Sequence, residues 1–572
     1  MTSVPANLTR FSGLVHRCKV WRRQLWRALS DRRKPIPFAH RTADQLSVVV
    51  AENRTPLFTA GAAESALELG KVQNLRLACS QLNGITLEPG QILSFWRQVG
   101  RCRRRRGYVV GRQLQEGCLI PAVGGGICQL SNALYQAAMD AGLTAVERHA
   151  HSRVVPGSAA ERGDDATVAW NYVDLRLQTA RRVQLETSLS NSELIVRIRA
   201  EPIDLPTPAP KRYCALPLLK TAQACDTCNE VNCFRHAPAP AIEGCQAFVV
   251  DAVSPDWLVW LAQNVQPGAT LISPLDGVRW SRSQYAWPAA LFSHRHYATR
   301  LTLWMAWRGR RMPPTSGARQ ARALARAEAL AIALVAKVPF DASQLVVSHE
   351  LLPFAWASGA LGGRRFTVLQ GRQPMAAMQS ALDAGAHAHP ESRTLADFRA
   401  PTALIEWETA ALAAADRIVT PHIAVAEQFG SRAELIPWSL PPAQPWKSGP
   451  ALAYGGPTAG RKGAYEVREA ARRLKVPLVV LRGNFEGPEF WDGLDVTIRD
   501  RSDSAWLDGC FALVQPALVE ERPRALLHAI AAGVPTIATA ACGIEPTILV
   551  PALDVDALIA AVRRINSGGS TR

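Results

Sequence analysis

The chain has 572 residues, and at roughly 150 residues per domain that is room for two to four domains, which excludes a single small binding module. Hydrophobic residues make up 48% and charged residues 20%, a globular rather than a disordered composition. Lys and Arg (65) outnumber Asp and Glu (48), and the net charge of +17 favours an anionic partner: nucleic acid, an acidic lipid surface or a phosphorylated small molecule.

No stretch reaches the ~18 apolar residues that a membrane-spanning helix needs. The first 40 residues lack the apolar core of a secretory signal, because Arg22, Arg23 and Arg27 interrupt the candidate at 20–29, so a cytoplasmic protein is expected. In chain order, residues 1–44 form a basic arm. Within it, residues 10–34 carry Arg10, Arg17, Lys19, Arg22, Arg23, Arg27, Arg32, Arg33 and Lys34 against a single acid, Asp31. Phe11, Leu14, Val15, Cys18, Trp21, Leu25 and Leu29 recur every three or four residues, which predicts an amphipathic helix that docks on its own domain or lies on an anionic membrane at its inner face.

Residues 45–201 mix helix and strand. The spacing predicts a helix over 62–83, ended by Gly84, and strands over 167–178 and 182–199. Between them, Gly124 to Gly126 precede Cys128 and a helix running to about Asp140. Glycines there permit close approach of a ligand, and a helix start favours a cysteine thiolate. His149 and His151 follow, then Asp164, Asp165 and Asp174; a cysteine with His and Asp is raw material for nucleophilic catalysis or for a metal site. The Arg101 to Arg106 run reads as a solvated loop or a receptor for phosphate or carboxylate groups.

Residues 202–245 form a Pro- and Cys-rich connector. Cys225 and Cys228 make a Cys-x2-Cys chelate, Cys233 a third ligand, and Cys214, His236 or Cys245 a fourth, for zinc or an iron–sulfur cluster. Free thiols or a redox pair are the alternatives.

Beyond 246, β-type runs at 247–250, 270–272, 344–347, 366–369, 417–420, 477–481, 511–514 and 535–538 alternate with alanine-rich helices. That pattern predicts two parallel sheets covered on both faces, over 246–440 and 441–572. Arg461 and Lys462, next to Gly463 at a helix start, suit a diphosphate, and Glu520 and Glu521 precede a second helix start that suits phosphate oxygens.

Two resemblances follow from these motifs. The runs GGGICQLSNALYQAAMDAGL, ERHAHS and GDDATVAWNYVDLRL, with FWRQVGRCRRRRGYVVG upstream, resemble the VanW family, whose name associates it with the cell envelope. The segment CFALVQPALVEERPRALLHAIAAGVPTIATA resembles the donor-binding domain of retaining glycosyltransferases of the GT-B fold. In that family two acids flank this helix start; Glu520 takes the first place and His528 the second. FDASQLVVSHELLPFAWASGALGGRRFTVL resembles the acceptor-side strand and points to His349, although no glycine-rich loop follows the first strand near 246–275.

The fold class expected is therefore α/β: a VanW-like α/β domain, a Cys-rich connector and two Rossmann-like, GT-B-like parallel-sheet domains. The resemblance implies transfer of a sugar from a nucleotide-sugar donor to an envelope glycan or lipid-linked acceptor. Arg461, Lys462, Gly463 and His528 would bind the donor, Glu520 would orient its sugar, and His349 would contact acceptor or donor. A rival reading is a metal-clipped, non-catalytic binding or scaffold protein. Nucleic-acid binding rests on net charge alone, with no interleaved aromatic motif behind it.

Overall fold

A computed structural model describes residues 10–33, 37–42, 46–58, 66–115, 118–151, 163–202, 244–309, 316–500, 502–503 and 505–568. The chain divides into two compact units. The first comprises Met1–Gly244 with Pro339–Ser343 and Gly359–Arg364; the second comprises Cys245–Val338, Gln344–Ser358 and Arg365–Arg572.

The first unit is built on a five-stranded antiparallel sheet in the order His40–Arg41, Ile85–Leu87, Val183–Leu189, Glu193–Ala200, Val48–Pro56. Period-two patterning sets its faces. Leu194, Val196, Ile198 and Ala200 are buried, while Arg197 and Arg199 on the other face pair with Glu186 at 2.8 and 2.5 Å. Helices Ala66–Leu82 and Ile127–Asp140 bury Leu75, Ala78, Leu82, Leu130, Leu134 and Ala137 in the same core.

Two predicted strands are corrected. The run 182–199 is a hairpin, because the Ser190 hydroxyl accepts the Ser192 and Glu193 N–H groups at 3.3 and 2.9 Å and turns the chain. Of 167–178 only Arg176–Gln178 is strand, and Asn171 with φ 56° breaks the rest.

Helix Arg10–Arg33 docks on this unit by polar groups. Arg27 pairs with Glu147 at 2.5 Å, Asp31 with Arg176 at 2.7 Å, and Gln24 donates to the Trp170 carbonyl at 3.0 Å. Of the stripe residues whose side chains are described, Trp21, Leu25 and Leu29 are exposed, Trp21 at 65%, and Trp26 beside them is 68% exposed. Among the described residues no helix is long and apolar enough to cross a membrane.

The second unit holds two sheets. The seven-stranded one runs His294–Tyr297, Thr270–Ser273, Cys245–Val249, Ala342–Ser348, Arg365–Leu369, Arg417–Thr420, Ala433–Leu435, with parallel pairing on both sides of its central pair. The six-stranded one, entirely parallel, runs Val496–Arg499, Leu478–Leu481, Ala451–Tyr454, Cys510–Gln515, Thr536–Ala538, Ile548–Leu549. Helices cover both faces, so Thr270–Ser273, Leu478–Leu481 and Cys510–Gln515 are buried at every position, as near-continuous apolar runs require. These are the Rossmann-like sheets that the alternating pattern implies. In each, strand order reverses at the centre, beside Cys245–Val249 and Ala342–Ser348 in one and Ala451–Tyr454 and Cys510–Gln515 in the other. Chain segments leaving the carboxyl ends at such a reversal diverge and leave a crevice.

Candidate functional site

A cleft of about 860 Å³ in the second unit draws its walls from both reversal points. The first sheet contributes Asp251, His349 and Glu350; the second contributes Gly455, Arg461, Lys462, Gln515 and Glu520. Its size is that of a small-molecule site.

Lys462 and Glu520, distant in sequence, meet here. The Lys462 ammonium donates to Glu520 at 2.9 Å and to the Val519 carbonyl at 2.9 Å. Glu520 also accepts from the Gln515 amide and from the Arg522 N–H at 3.1 Å. Gly463 explains the approach. With φ 79° it caps the turn Gly460–Lys462, and a Cβ there would lie 2.2 Å from the Pro516 carbonyl oxygen. Its role is thus to seat the turn against the 516–520 loop, and it does not line the cleft.

Arg461 stacks over Phe398 with its guanidinium 4.3 Å from the ring centroid. It has no hydrogen-bonded acceptor for that guanidinium among the described residues, and burial pulls its pKa below the ordinary arginine value. His528 is half-buried in helix Arg524–Ala532 and is not among the cleft-lining residues. His349 Nε2 lies 3.1 Å from Glu350 and 3.9 Å from Glu521, and Nδ1 lies 3.1 Å from the Leu369 carbonyl. These three side chains form the cation-sized cluster found among the described residues.

Several groups in this region lack a sequence signal. Arg372 lines the cleft and pairs with buried Glu408 at 2.9 Å. Glu486 accepts from Thr394 Oγ1 at 2.5 Å, the Gly460 N–H at 2.7 Å, the Arg393 N–H at 2.9 Å and Tyr465 Oη at 3.0 Å. It thereby anchors the turn that carries Arg461 and Lys462. Burial pushes the Glu486 carboxyl up, but these donors outweigh it and hold it below the usual carboxylate range.

A depressed carboxylate stabilises the fold fully above its unfolded value of about 4.3, and the contribution fades as pH falls through the lower folded value. Glu486→Ala is expected to cost about 1–3 kcal/mol at neutral pH. Urea titrations should show the gap from the parent closing as the buffer is acidified below that range; a gap that widens would contradict the assignment.

In the first unit, Cys128, His151 and Asp165 come together. His151 Nδ1 lies 2.6 Å from Asp165 Oδ2, and the Cys128 thiol is near enough to the His151 ring that each shifts the other's titration. His149 does not join them: its ring lies 3.1 Å from Glu147 and is exposed. Asp174 is structural, accepting from Ser94 at 2.6 Å and the Trp96 N–H at 3.1 Å. The glycines before Cys128 serve close approach within the chain itself. A Cβ at Gly125 would lie 2.3 Å from the Gly111 carbonyl oxygen, and one at Gly126 2.2 Å from Lys71 Cγ. Cys214, Cys225, Cys228, Cys233 and His236 lie outside the described residues; Cys245 opens the first strand of the second unit.

Comparison with known proteins matches residues 70–199 to the family model "VanW like protein". The vancomycin B-type resistance protein VanW of Enterococcus faecalis is 34% identical over 138 residues, covering 23% of this chain and 50% of that protein. The uncharacterized protein YoaR of Bacillus subtilis is 38% identical over 105 residues, covering 18% of this chain and 34% of that protein. The chain thus spans half or less of the length of these relatives. Among solved structures, the sucrose-phosphate synthase of Thermosynechococcus elongatus aligns over 57% of this chain and 91% of its own, at 15% identity and a TM-score of 0.35. HepE of Anabaena, in complex with UDP and glucose, aligns over 57% and 90% at 10% identity and a TM-score of 0.31. The N-terminal region of the chain, over residues 70–199, carries a VanW-like domain.

Proposed function

We propose that the second unit is a retaining glycosyltransferase that takes a nucleotide-sugar donor in its cleft. The observation that carries this reading is the grouping of Arg461, a half-buried cation without a hydrogen-bonded acceptor, with the Lys462–Glu520 pair at a strand-order reversal. Breaking the bond between sugar and diphosphate places negative charge on the departing phosphate oxygens. Arg461 and Lys462 meet that charge as fixed cations, and Glu520 orients the sugar through its remaining lone pairs. The acceptor, a glycan precursor of the cell envelope, enters from the His349 and Asp251 wall. The test is a thermal-shift panel of UDP-, GDP- and ADP-sugars on the full chain. One donor at ~100-fold its Kd should stabilise by about 2.7 kcal/mol, and Arg461→Ala should lose that shift. A panel in which no nucleotide moves the transition would end the reading.

We propose further that the first unit meets an anionic membrane surface at its inner face. Support comes from the outward Trp21 and Trp26 on helix Arg10–Arg33, flanked by exposed Arg22 and Arg23. Replacing both tryptophans by alanine should lower co-sedimentation with anionic vesicles several-fold; unchanged binding would remove the helix from that role.

A further inference from the structure

The VanW-like domain carries a second constellation, independent of the cleft. Cys128 lies in the first turn of helix Ile127–Asp140, half-buried, with its sulfur 3.9 Å from Thr167 Oγ1 and 3.9 Å from the Val168 carbonyl. His151 gives Nδ1 to Asp165, so Nε2 is the ring nitrogen left for the Cys128 sulfur. Asp165 is fixed on every side. Its Oδ2 accepts the His151 backbone N–H at 2.6 Å, its Oδ1 accepts from Arg148 at 2.9 Å, and Arg148 also reaches its carbonyl at 2.7 Å. The strand of chain that bears Asp165 is tied to the cysteine's helix, since Asn132 accepts the Ala166 N–H at 2.8 Å and Ser131 donates to the Ala166 carbonyl at 2.5 Å. The Thr167 N–H donates to the His149 carbonyl at 2.8 Å and closes the remaining side.

We propose that Cys128, His151 and Asp165 form a thiol active site for acyl transfer, acting on an amide or ester substrate. The parts are those of a nucleophile, a proton carrier and a buried carboxylate that fixes the carrier's tautomer and orientation. The Cys128 sulfur adds to the carbonyl carbon of R–CO–X, and the oxyanion meets first-turn N–H groups, Cys128's own among them. The C–X bond then breaks, and X leaves as HX with the His151 proton. Water or an amine attacks the resulting thioester, gives its proton to His151 and releases the acyl product, which returns the thiolate. No electrons enter or leave.

The electrostatics agree. Burial pushes the Cys128 thiol up, but the His151 hydrogen bond and charge outweigh it and leave it below the ordinary thiol value. Burial pulls His151 down, but Asp165 and Cys128 outweigh it and hold it at about 9. The charged groups facing the pair are Asp165 and, behind it, Arg148; Lys71 packs on Gly126 but directs its ammonium to the Leu57 carbonyl. Both shifts favour the thiolate–imidazolium form of the pair over the neutral one. Other cysteines provide internal contrast, because burial pushes Cys102 up to about 11 and Cys79 up to about 12.

The test uses the full chain and peptide-level mass spectrometry. With iodoacetamide at neutral pH, Cys128 should be alkylated at least about tenfold faster than Cys79 and Cys102, with a rate that levels off below the ordinary thiol value. His151→Gln should move that inflection upward and slow the neutral-pH rate by about tenfold. With p-nitrophenyl acetate, the parent should form and clear a Cys128 acetyl thioester, whereas His151→Gln should accumulate it and Cys128→Ser should form none. Overturning results are a Cys128 alkylation rate that climbs like an ordinary thiol's in the parent, an inflection that His151→Gln leaves in place, or no acetylation of Cys128. The parent's own pH profile and acetylation decide the matter even where a variant fails to fold.

Discussion

On the function proposed above, Lys462→Ala is expected to lower kcat for the nucleotide-sugar donor by about 10²–10³, with a much smaller rise in KM. The asymmetry follows from where charge develops. A bound diphosphate already carries charge in the ground state, but the bridging oxygen gains more as the sugar bond breaks, and an ammonium held in place beside it stabilises that increment. Lys462 is so held, by Glu520 at 2.9 Å and the Val519 carbonyl at 2.9 Å. Its removal leaves Glu520 with the Gln515 amide and the Arg522 N–H, so the fold loses only about 1–2 kcal/mol. Lys462→Arg keeps the charge and should recover part of the rate, while Glu520→Gln should raise KM and lower kcat together. Single-turnover kinetics separate these cases. A Lys462→Ala protein with the parent's kcat would remove the cation from the transition state.

The parallel sheets of the second unit were legible because both of their faces are covered. Uniform burial leaves short apolar runs, and the strands 417–420 and 477–481 were located to within a residue by that signal alone. Edge strands lacked it. His294–Tyr297 carries exposed His294, Arg295 and His296, so nothing in its composition marks it as a strand. The first unit misled in another way. The buried alternation changes phase between Val183–Leu189 and Glu193–Ala200, and the turn that changes it is held by the Ser190 hydroxyl accepting the Ser192 and Glu193 N–H groups.

Motif residues were legible and their supports were not. Lys462 and Glu520 stand in recognisable loops, as do Cys128 and His151, because loops after strands and residues at helix starts have spacing that can be read. Arg148, Arg372, Glu408 and Glu486 have none. Each acts through a partner far away in sequence, 17 residues for Arg148 and Asp165, 36 for Arg372 and Glu408, and 92 for Glu486 and Thr394. A charged residue destined for burial looks like any solvated one until its counterion is known. His149 and His151 show the converse: two histidines of equal promise in sequence, divided by which one faces Asp165 and which faces Glu147.

Glu408→Ala is expected to destabilise the protein by about 3–5 kcal/mol, the range for removing one partner of a buried ion pair. Both groups are inside: Arg372 is 6% and Glu408 0% exposed. Glu408 accepts from Arg372 at 2.9 Å and from the Met375 N–H, which ends the loop entering helix Met375–Ala388. Burial works against the Arg372 charge, and Glu408, with Glu350 and Glu521 behind it, overcomes this and holds the guanidinium above its ordinary value. Without Glu408 the cation faces the cleft with its nearest counterion gone and one backbone donor unpaired. Glu408→Gln keeps shape and acceptor and should cost less than half as much. A double change to Arg372→Met with Glu408→Leu should recover most of the loss, since the pair's desolvation disappears along with its attraction. Denaturant midpoints of the three proteins give the comparison. A Glu408→Ala protein within about 1 kcal/mol of the parent would mean that water reaches Arg372 and that the cleft wall is wetter than its packing implies.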